Sequence, residues 1–312
     1  MQGHTHVTGN KKALLIGINY IGTSSALAGC INDVHALRSF ISVNYNFPTD
    51  ANHMVVLTDD QRDPKFQPTR ANITAGIDWL VRGAQPGDSL FISFSGHGGT
   101  QKDTDGDESD GSDETILPID FKRAGVIVDD ELNARLVRPL PAGCRLFAVF
   151  DSCHSGSVLD LPFTYLPDGS IKRHTIASKL GKSLLDGGKA FALSGGSALT
   201  GALSLVKSIS SKNLLGGGGL SDEDRVRLKG SMADVVCFSG CKDAQTSADS
   251  KTPHGMASGA MSYSLITALA SNRNQNWSEL LANMRNILKG KYTQVPQLSA
   301  GRLIDTKARV LL

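Results

Sequence analysis

The chain has 312 residues, of which 40% are hydrophobic and 20% charged, and its formal net charge is +2 at pH 7. This size and composition suit one large α/β domain or two small ones with enough apolar side chains for a core. The net charge is near zero and the sequence has no basic stripe, which excludes a typical nucleic-acid-binding surface. The apolar runs are far shorter than the ~20 residues of a membrane span. We therefore expect neither a nucleic-acid partner nor a membrane segment.

The five cysteines stand at irregular spacing and include no C-x-x-C pair: Cys30, Cys144, Cys153, Cys237 and Cys241. An odd number at such spacing argues against a disulfide framework. A reducing, intracellular compartment is the better expectation.

Apolar runs of strand length alternate with helical patterns along most of the chain. After a loose, polar arm at 1–10, strands are predicted at 13–18, 53–57, 90–94, 146–150 and 233–239, a last edge segment at 296–299, and helices at 32–43, 71–83, within 127–140, and at 260–269 and 277–288. Asn32 or Asp33 is expected to cap the first helix. This alternation predicts an α/β fold with a parallel, doubly wound sheet.

Residues 168–230 differ from the rest, because they are rich in Gly, Ser and Lys and include four consecutive glycines at 216–219. The segment is too long for a compact loop. We expect it to be partly mobile or to carry short elements of its own.

Two of the apolar runs end in small, flexible turns that carry a thiol and an imidazole. The run 146–150 leads into Asp-Ser-Cys-His-Ser-Gly, which contains Cys153, and the run 90–94 leads into Ser-Gly-His-Gly-Gly, which contains His97. If the two runs are parallel neighbours, both groups emerge at the carboxyl edge of the sheet, where open α/β sheets place their sites. A cysteine hydrolase needs at least a thiol and a nearby imidazole. The backbone N–H groups of Cys153 and Gly98 could stabilise an oxyanion.

Each of these groups also has a simpler interpretation. Cys153 could be a buried structural thiol, and His97 a turn histidine bonded to the backbone. His154 adjoins the thiol, but neighbours in sequence rarely face each other, which makes it the weaker base. A zinc site built from these residues and Asp151 lacks the usual ligand spacing.

An acidic loop at 103–114 holds seven carboxylates in twelve residues. Such density is costly without a counter-ion, and hard oxygen ligands suit calcium. The loop is not an EF-hand, because Glu108 stands where that motif needs glycine. A solvated acidic loop is the alternative, although later carboxylates could converge with it on one ion.

Taken together, these stretches resemble the caspase-like clan, and most closely a type I metacaspase of the fungal kind. The matching stretches are KALLIGINY at 12–20, GCIND at 29–33, SGHGG at 95–99, DSCHSG at 151–156 and SGCKDAQTSAD at 239–249. The resemblance implies a three-layer sandwich in which helices flank both faces of a central, mostly parallel sheet.

The same resemblance divides the chain into parts of one catalytic domain. Residues 11–167 would form a large-subunit-like part, 168–230 a linker, and 231–312 a small-subunit-like part. The linker would be a self-cleavage target, as expected of a zymogen, with candidate sites at Lys179, Lys182, Lys189, Lys207 and Lys212. Type I members often carry a proline- and glutamine-rich region before the catalytic part, and we expect regulation by such a region to be absent here.

For activity, the resemblance implies a cysteine endopeptidase with a His97–Cys153 dyad that cleaves protein or peptide substrates after Arg or Lys. Such substrates need an acidic pocket, for which Asp33 and Asp151 are available. By resemblance Cys30 and Ser95 would line that pocket beside them. The enzyme would be a monomer of the cytoplasm, with the nucleus as a second compartment.

Calcium is the cofactor that the resemblance implies. The family's ligand positions correspond to Asp113, Asp129, Asp130 and Asp160, with Asp110 as an alternative to the first of these. The ion would draw the acidic loops together and order the neighbouring site without touching the substrate.

Three other functions compete with this one. An aspartate-specific protease would need a basic pocket, whereas acidic residues flank the dyad. A catalytically silent scaffold is disfavoured by the intact His97 and Cys153. In a calcium-binding redox sensor, Cys153 would serve oxidation and not hydrolysis, so its alkylation would leave proteolysis unchanged.

Overall fold

A seven-stranded sheet lies at the centre of the fold in the computed structural model. The structure describes residues 8–102, 112–152, 158–171, 226–227, 229–240, 250–251 and 257–312. Cys153, most of the acidic loop and the lysines proposed as self-cleavage sites therefore lie outside the described residues.

The described strands and helices follow the predicted alternation. The strands are β1 (Lys11–Gly17), β2 (Met54–Thr58), β3 (Ser89–Ser95), β4 (Gly98–Lys102), β5 (Ser112–Ile116), β6 (Ile127–Val128), β7 (Arg145–Asp151), β8 (Phe163–Tyr165), β9 (Asp234–Ser239), β10 (Ser250–Lys251), β11 (Ala257–Ser258) and β12 (Gln297–Ala300). The helices are α1 (Cys30–Tyr45), α2 (Arg70–Val81), α3 (Phe121–Ala124), α4 (Asp129–Leu132), α5 (Ala260–Ser271) and α6 (Trp277–Leu288). A π-helical turn, Asn133–Val137, continues α4.

The central sheet has the strand order β2-β1-β3-β7-β9-β12-β8. The first four pairings are parallel and the last two, on either side of β12, are antiparallel. The predicted mostly parallel sheet is confirmed. The prediction of an edge segment at 296–299 is wrong, because β8 pairs with the far side of β12. A three-residue strand is too short to show a hydrophobic period in the sequence.

Helices cover both faces of this sheet, as the three-layer arrangement requires. Successive strand side chains point to opposite faces. Ala13 and Leu15 accordingly lie in a core with residues of α1, α5 and α6, whereas Leu14 and Ile16 lie in a second core with residues of α2 and α4. Within the described residues, no helix is long and apolar enough to cross a membrane.

The first helix begins two residues earlier than predicted, and its cap differs too. Gly29 occupies the cap position and makes no side-chain cap hydrogen bond. Instead, the side-chain oxygen of Asn19 accepts the backbone N–H groups of Cys30 and Ile31, at 3.0 and 3.3 Å. The prediction that Asn32 or Asp33 caps α1 is therefore wrong. Since an acceptor from the preceding loop satisfies the helix start, the Asp33 carboxylate is available for other contacts.

Candidate active site

The register between β3 and β7 brings the two polar turns to one edge of the sheet. These strands are parallel neighbours, as predicted, and Ser95 pairs with Asp151 at their carboxyl ends. The N–H of Gly96 continues this pairing by donating to the Asp151 carbonyl at 3.3 Å. His97 and Cys153 each stand two positions beyond this last pair, although Cys153 itself lies outside the described residues.

The His97 side chain is held by contacts to both its ring and its backbone. Its Nε2 lies 2.7 Å from the carbonyl oxygen of Ser25. A carbonyl can only accept, so Nε2 carries the proton, and in the neutral ring Nδ1 is then the basic nitrogen. The His97 backbone N–H donates to the Tyr20 hydroxyl at 2.9 Å, and the two rings lie 4.5 Å apart.

Gly98, the predicted second oxyanion donor, begins β4 directly after His97. It pairs with Ile116 of β5. The N–H of Leu117, the next residue, donates to the His97 carbonyl at 3.1 Å. The small sheet β4-β5-β6 thus fixes the backbone that follows His97. The oxyanion role of Gly98 and Cys153 stays a prediction.

A second group of side chains forms a buried acidic cluster at the place of the predicted substrate pocket. It unites three residues predicted from the sequence: Asp33, Ser95 and Asp151. The Asp33 carboxylate is 1% exposed and accepts hydrogen bonds from the Ser95 and Ser258 hydroxyls at 2.7 and 2.6 Å. The N–H of Gly259 donates to both Asp33 oxygens at 3.0 Å.

Asp151 shares this pocket through Gly259 and the start of α5. Its Oδ2 accepts the Ser262 N–H at 3.0 Å. A Cβ on Gly259 would lie 2.2 Å from that oxygen and 2.7 Å from an oxygen of Asp33. Only glycine therefore fits between the two carboxylates.

The pocket is electrostatically suited to a cation. Burial, and after it the charge of Asp151, raises the pKa of Asp33 to about 8. Two carboxylates this close cannot both ionise without cost. An ammonium or guanidinium close to these carboxylates would offset that cost.

Cys30, the fourth predicted pocket residue, is the first residue of α1 and is 4% exposed. It precedes Asp33 by three positions, which places both on one side of the helix.

Several residues of the site were missed by the sequence predictions. Ser258 and Gly259 come from the segment just before α5, more than 200 residues from Asp33. Tyr20 and Ser25 come from the loop after β1. A weak signal existed for the first two, since small polar residues stand directly before the apolar run of α5.

The predicted calcium ligands occupy a separate region beside β5 and α4. Asp113, Asp129 and Asp160 are buried, while Asp130 is half-buried. The carboxylate of Asp129 accepts the backbone N–H of Glu114 and of Asp130, each at 2.9 Å. Glu114, which belongs to the predicted acidic loop but not to the four predicted ligands, is thus part of the same acidic group.

The donor chemistry of this group fits calcium, which prefers oxygen ligands. Burial first, and then the hydrogen bond and charge of Glu114, raises the pKa of Asp129 to about 9. The buried ammonium of Lys229 forms an ion pair with Asp160 and so supplies one positive charge. In the part of the chain that the structure describes, no three His, Cys, Asp or Glu side chains stand ready to hold a metal.

A site at the carboxyl edge of a mostly parallel sheet with helices on both faces is typical of open α/β folds. A crystal structure of a Geobacter sulfurreducens protein shares this fold, with a TM-score of 0.58 and 23% identity over 97% of this chain and 100% of that one.

The chain belongs to the metacaspase family. The family model of the metacaspase, peptidase C14 domain matches residues 11–162. Metacaspase-1 of Cryptococcus neoformans var. neoformans serotype D (strain JEC21) is 51% identical over 97% of this chain, and Metacaspase-1 of Eremothecium gossypii is 47% identical over 99%. The chain spans 65% of the Cryptococcus protein and 68% of the Eremothecium protein.

Proposed function

We propose that this chain is a cysteine endopeptidase whose catalytic dyad is Cys153 and His97. The observation that carries the proposal is the register of β3 and β7, which pairs Ser95 with Asp151. The dyad residues follow that pair by the same number of positions on neighbouring strands. Membership of a peptidase family supports the same assignment.

In the proposed reaction, Nδ1 of His97 takes the proton of the Cys153 thiol. The thiolate attacks the scissile carbonyl carbon, and the N–H groups of Gly98 and Cys153 stabilise the oxyanion. His97 returns the proton to the leaving amine, and water then hydrolyses the thioester. The Ser25 carbonyl keeps the proton on Nε2 throughout and leaves Nδ1 as the base.

We further propose that the residue before the cleaved bond is Arg or Lys. The buried carboxylates of Asp33 and Asp151, with the Ser95 hydroxyl beside them, support a cationic partner. An aspartate side chain would meet two acidic groups at this place. Charge complementarity of this kind excludes the wrong partner as strongly as it attracts the right one.

Calcium activation is a third proposal. Asp113, Asp129, Asp130 and Asp160 would hold the ion, which would supply positive charge and draw the acidic loops together. The buried, crowded carboxylates described above support it.

Cleavage within residues 168–230, action as a monomer, and a cytoplasmic or nuclear location stay proposals that follow from the family resemblance.

The deciding experiment measures cleavage of two fluorogenic peptides that end in Arg or Asp, with calcium and with a chelator. We expect calcium-dependent turnover of the Arg peptide alone, abolished in Cys153→Ala. Turnover that survives in Cys153→Ala would overturn the dyad. Turnover of the Asp peptide would overturn the acidic pocket, and full activity in chelator would overturn only the calcium proposal.

A further inference from the structure

Tyr20 has an unusual backbone conformation in the loop after β1. Its φ is 51°, in the left-handed region that residues with side chains rarely adopt. The Asp59 carboxylate holds this turn, because its two oxygens accept the N–H groups of Asn19 and Ile21 at 2.8 and 2.9 Å. A residue that hydrogen bonds on both sides hold in a strained conformation indicates function when it lies next to a site.

The Tyr20 hydroxyl closes a small network around the His97 backbone. It accepts the His97 N–H at 2.9 Å and donates to the Leu117 carbonyl at 2.6 Å. Leu117 in turn donates its N–H to the His97 carbonyl at 3.1 Å. Burial raises the pKa of Tyr20, so the hydroxyl keeps the proton that this network needs.

The rest of Tyr20 acts on the His97 ring. The two rings lie 4.5 Å apart with an angle of 38° between their planes. The Tyr20 carbonyl also accepts both the backbone N–H and the hydroxyl of Thr23, at 3.1 and 2.8 Å. These bonds tie down the turn that carries Ser25, whose carbonyl accepts Nε2 of His97.

We propose that Tyr20 is a positioning residue for His97, because it fixes both the backbone of the histidine and the turn that orients its ring. Through these contacts Tyr20 keeps Nδ1 presented as the base. The inference rests on the proposed function, in which His97 takes the proton of Cys153. Misplacing a catalytic group by about 1 Å can cost roughly 10²-fold in rate.

The test is Tyr20→Phe, which removes the hydroxyl and keeps the ring. We expect kcat on the Arg peptide to fall about 10- to 100-fold, with KM little changed, because the substrate pocket is untouched. The rate at which iodoacetamide alkylates Cys153 should fall as well, and its pH midpoint should shift upward. A loss of stability alone would not lower kcat at an unchanged KM, and it would not shift the pH midpoint of Cys153 alkylation.

Tyr165→Phe is the matched control. Tyr165 is also buried, and its hydroxyl accepts a backbone N–H, that of Ile304, at 3.0 Å. It lies on β8 at the far edge of the sheet. The control therefore loses the same atom in a similar setting, and we expect an unchanged kcat and alkylation profile.

Asp59→Asn is a second variant. It weakens the hydrogen bonds to the N–H groups of Asn19 and Ile21, on either side of Tyr20, but keeps the Tyr20 hydroxyl and ring. It should lower kcat in the same direction as Tyr20→Phe. If His97→Ala is inactive and both variants behave like Tyr165→Phe, the positioning role is refuted while the proposed function stands. If His97→Ala keeps its activity, the proposed function fails and the role of Tyr20 fails with it.

Discussion

At the scale of single residues, the charge state of Asp33 decides how the acidic pocket responds to pH. Its pKa of about 8 in the folded protein exceeds the ~3.9 of a free aspartate. Between these values the folded state binds more protons than the unfolded state. The contribution of this group to stability is therefore greatest below about pH 4 and falls as the pH rises to about 8.

This proton gives a prediction about substrate binding. A cationic side chain that enters the pocket favours the ionised carboxylates, so an Arg peptide should displace a proton near pH 7 and almost none near pH 9. Calorimetric titration of Cys153→Ala with the peptide, in buffers of different ionisation enthalpy, measures the proton released. Equal proton release at both pH values, or none at pH 7, would contradict the assignment of the pocket.

Gly259 gives a second prediction at this scale. Its added Cβ would lie within 2.7 Å of both pocket carboxylates. Gly259→Ala should therefore push Asp33 and Asp151 apart and lower kcat/KM on the Arg peptide by about 10²-fold. The matched control is Gly76→Ala in α2, whose Cβ would meet only flexible Leu side chains at 3.0 Å or more. Similar losses in the two variants would count against the pocket.

The sequence predicted two carboxyl groups and one hydroxyl group of the pocket, but it did not predict the Ser258 and Gly259 contacts to Asp33. Asp33, Ser95 and Asp151 stand in motifs that can be compared with a family. Ser258 and Gly259 reach Asp33 only through the packing of α5 against α1 and the central strands. No local pattern in the sequence contains that information.

At the scale of elements, β7 and β9 are joined by a buried ion pair at their first residues. Arg145 pairs with Asp234 in the strand register, and its Nε donates to Oδ2 at 3.0 Å. Removing Arg145 leaves the buried Asp234 carboxylate with the more exposed Arg302, whose Nη2 lies 3.6 Å from Oδ1. We expect Arg145→Met to lower the free energy of unfolding by about 3 kcal/mol, the lower end of the range for a broken buried pair.

Urea denaturation measures this loss, and an exposed pair provides the control. Arg135 contacts Asp78 at 3.2 Å, with both side chains about two-fifths exposed, and also pairs with Glu131 at 3.1 Å on the same stretch of helix. Arg135→Met should cost less than about 1 kcal/mol, because water screens such pairs. If Arg145→Met also lowers the free energy of unfolding by less than about 1 kcal/mol, the buried pair contributes little to stability.

The elements themselves were predictable where an apolar run was long. The central strands β1, β3, β7 and β9 are wholly or mostly buried, so their sequences are near-continuous apolar runs, interrupted in β3 by Ser93. The short strands β4 and β5 carry polar residues at the site, and their sequences show no period. The start of α1 was misplaced because its cap comes from Asn19, eleven residues away.

At the scale of the whole molecule, buried negative charge needs a positive partner, and the chain supplies one from a distant segment. Lys229 lies within the predicted linker, one residue before its end at 230, and is 2% exposed; it pairs with Asp160, which is 4% exposed. The N–H of Gly230 donates to the Val226 carbonyl at 3.0 Å, and the N–H of Ser231 donates to the Gly301 carbonyl at 2.8 Å. These bonds hold the lysine in place beside the proposed calcium ligands.

If Asp160 binds calcium, the ion and the Lys229 ammonium compete for one carboxylate. Lys229→Met should therefore bind calcium more tightly than the unchanged chain, by about tenfold or more if the competition is worth at least ~1.4 kcal/mol. Without calcium the variant should unfold at a lower temperature, because Asp160 loses its partner. Calcium should then raise its unfolding temperature by more than it does for the unchanged chain.

Calorimetry gives the calcium affinity and a thermal scan gives the unfolding temperature, neither of which depends on catalysis. Lys11→Met is the control, because the Lys11 ammonium bonds to the backbone oxygens of Tyr45 and Leu312, at 2.6 and 3.2 Å, and not to a proposed calcium ligand. That variant should lose stability without any change in calcium affinity. If Lys229→Met and Lys11→Met bind calcium equally well, Lys229 does not compete with the ion, and Asp160 would have to be removed from the proposed ligands.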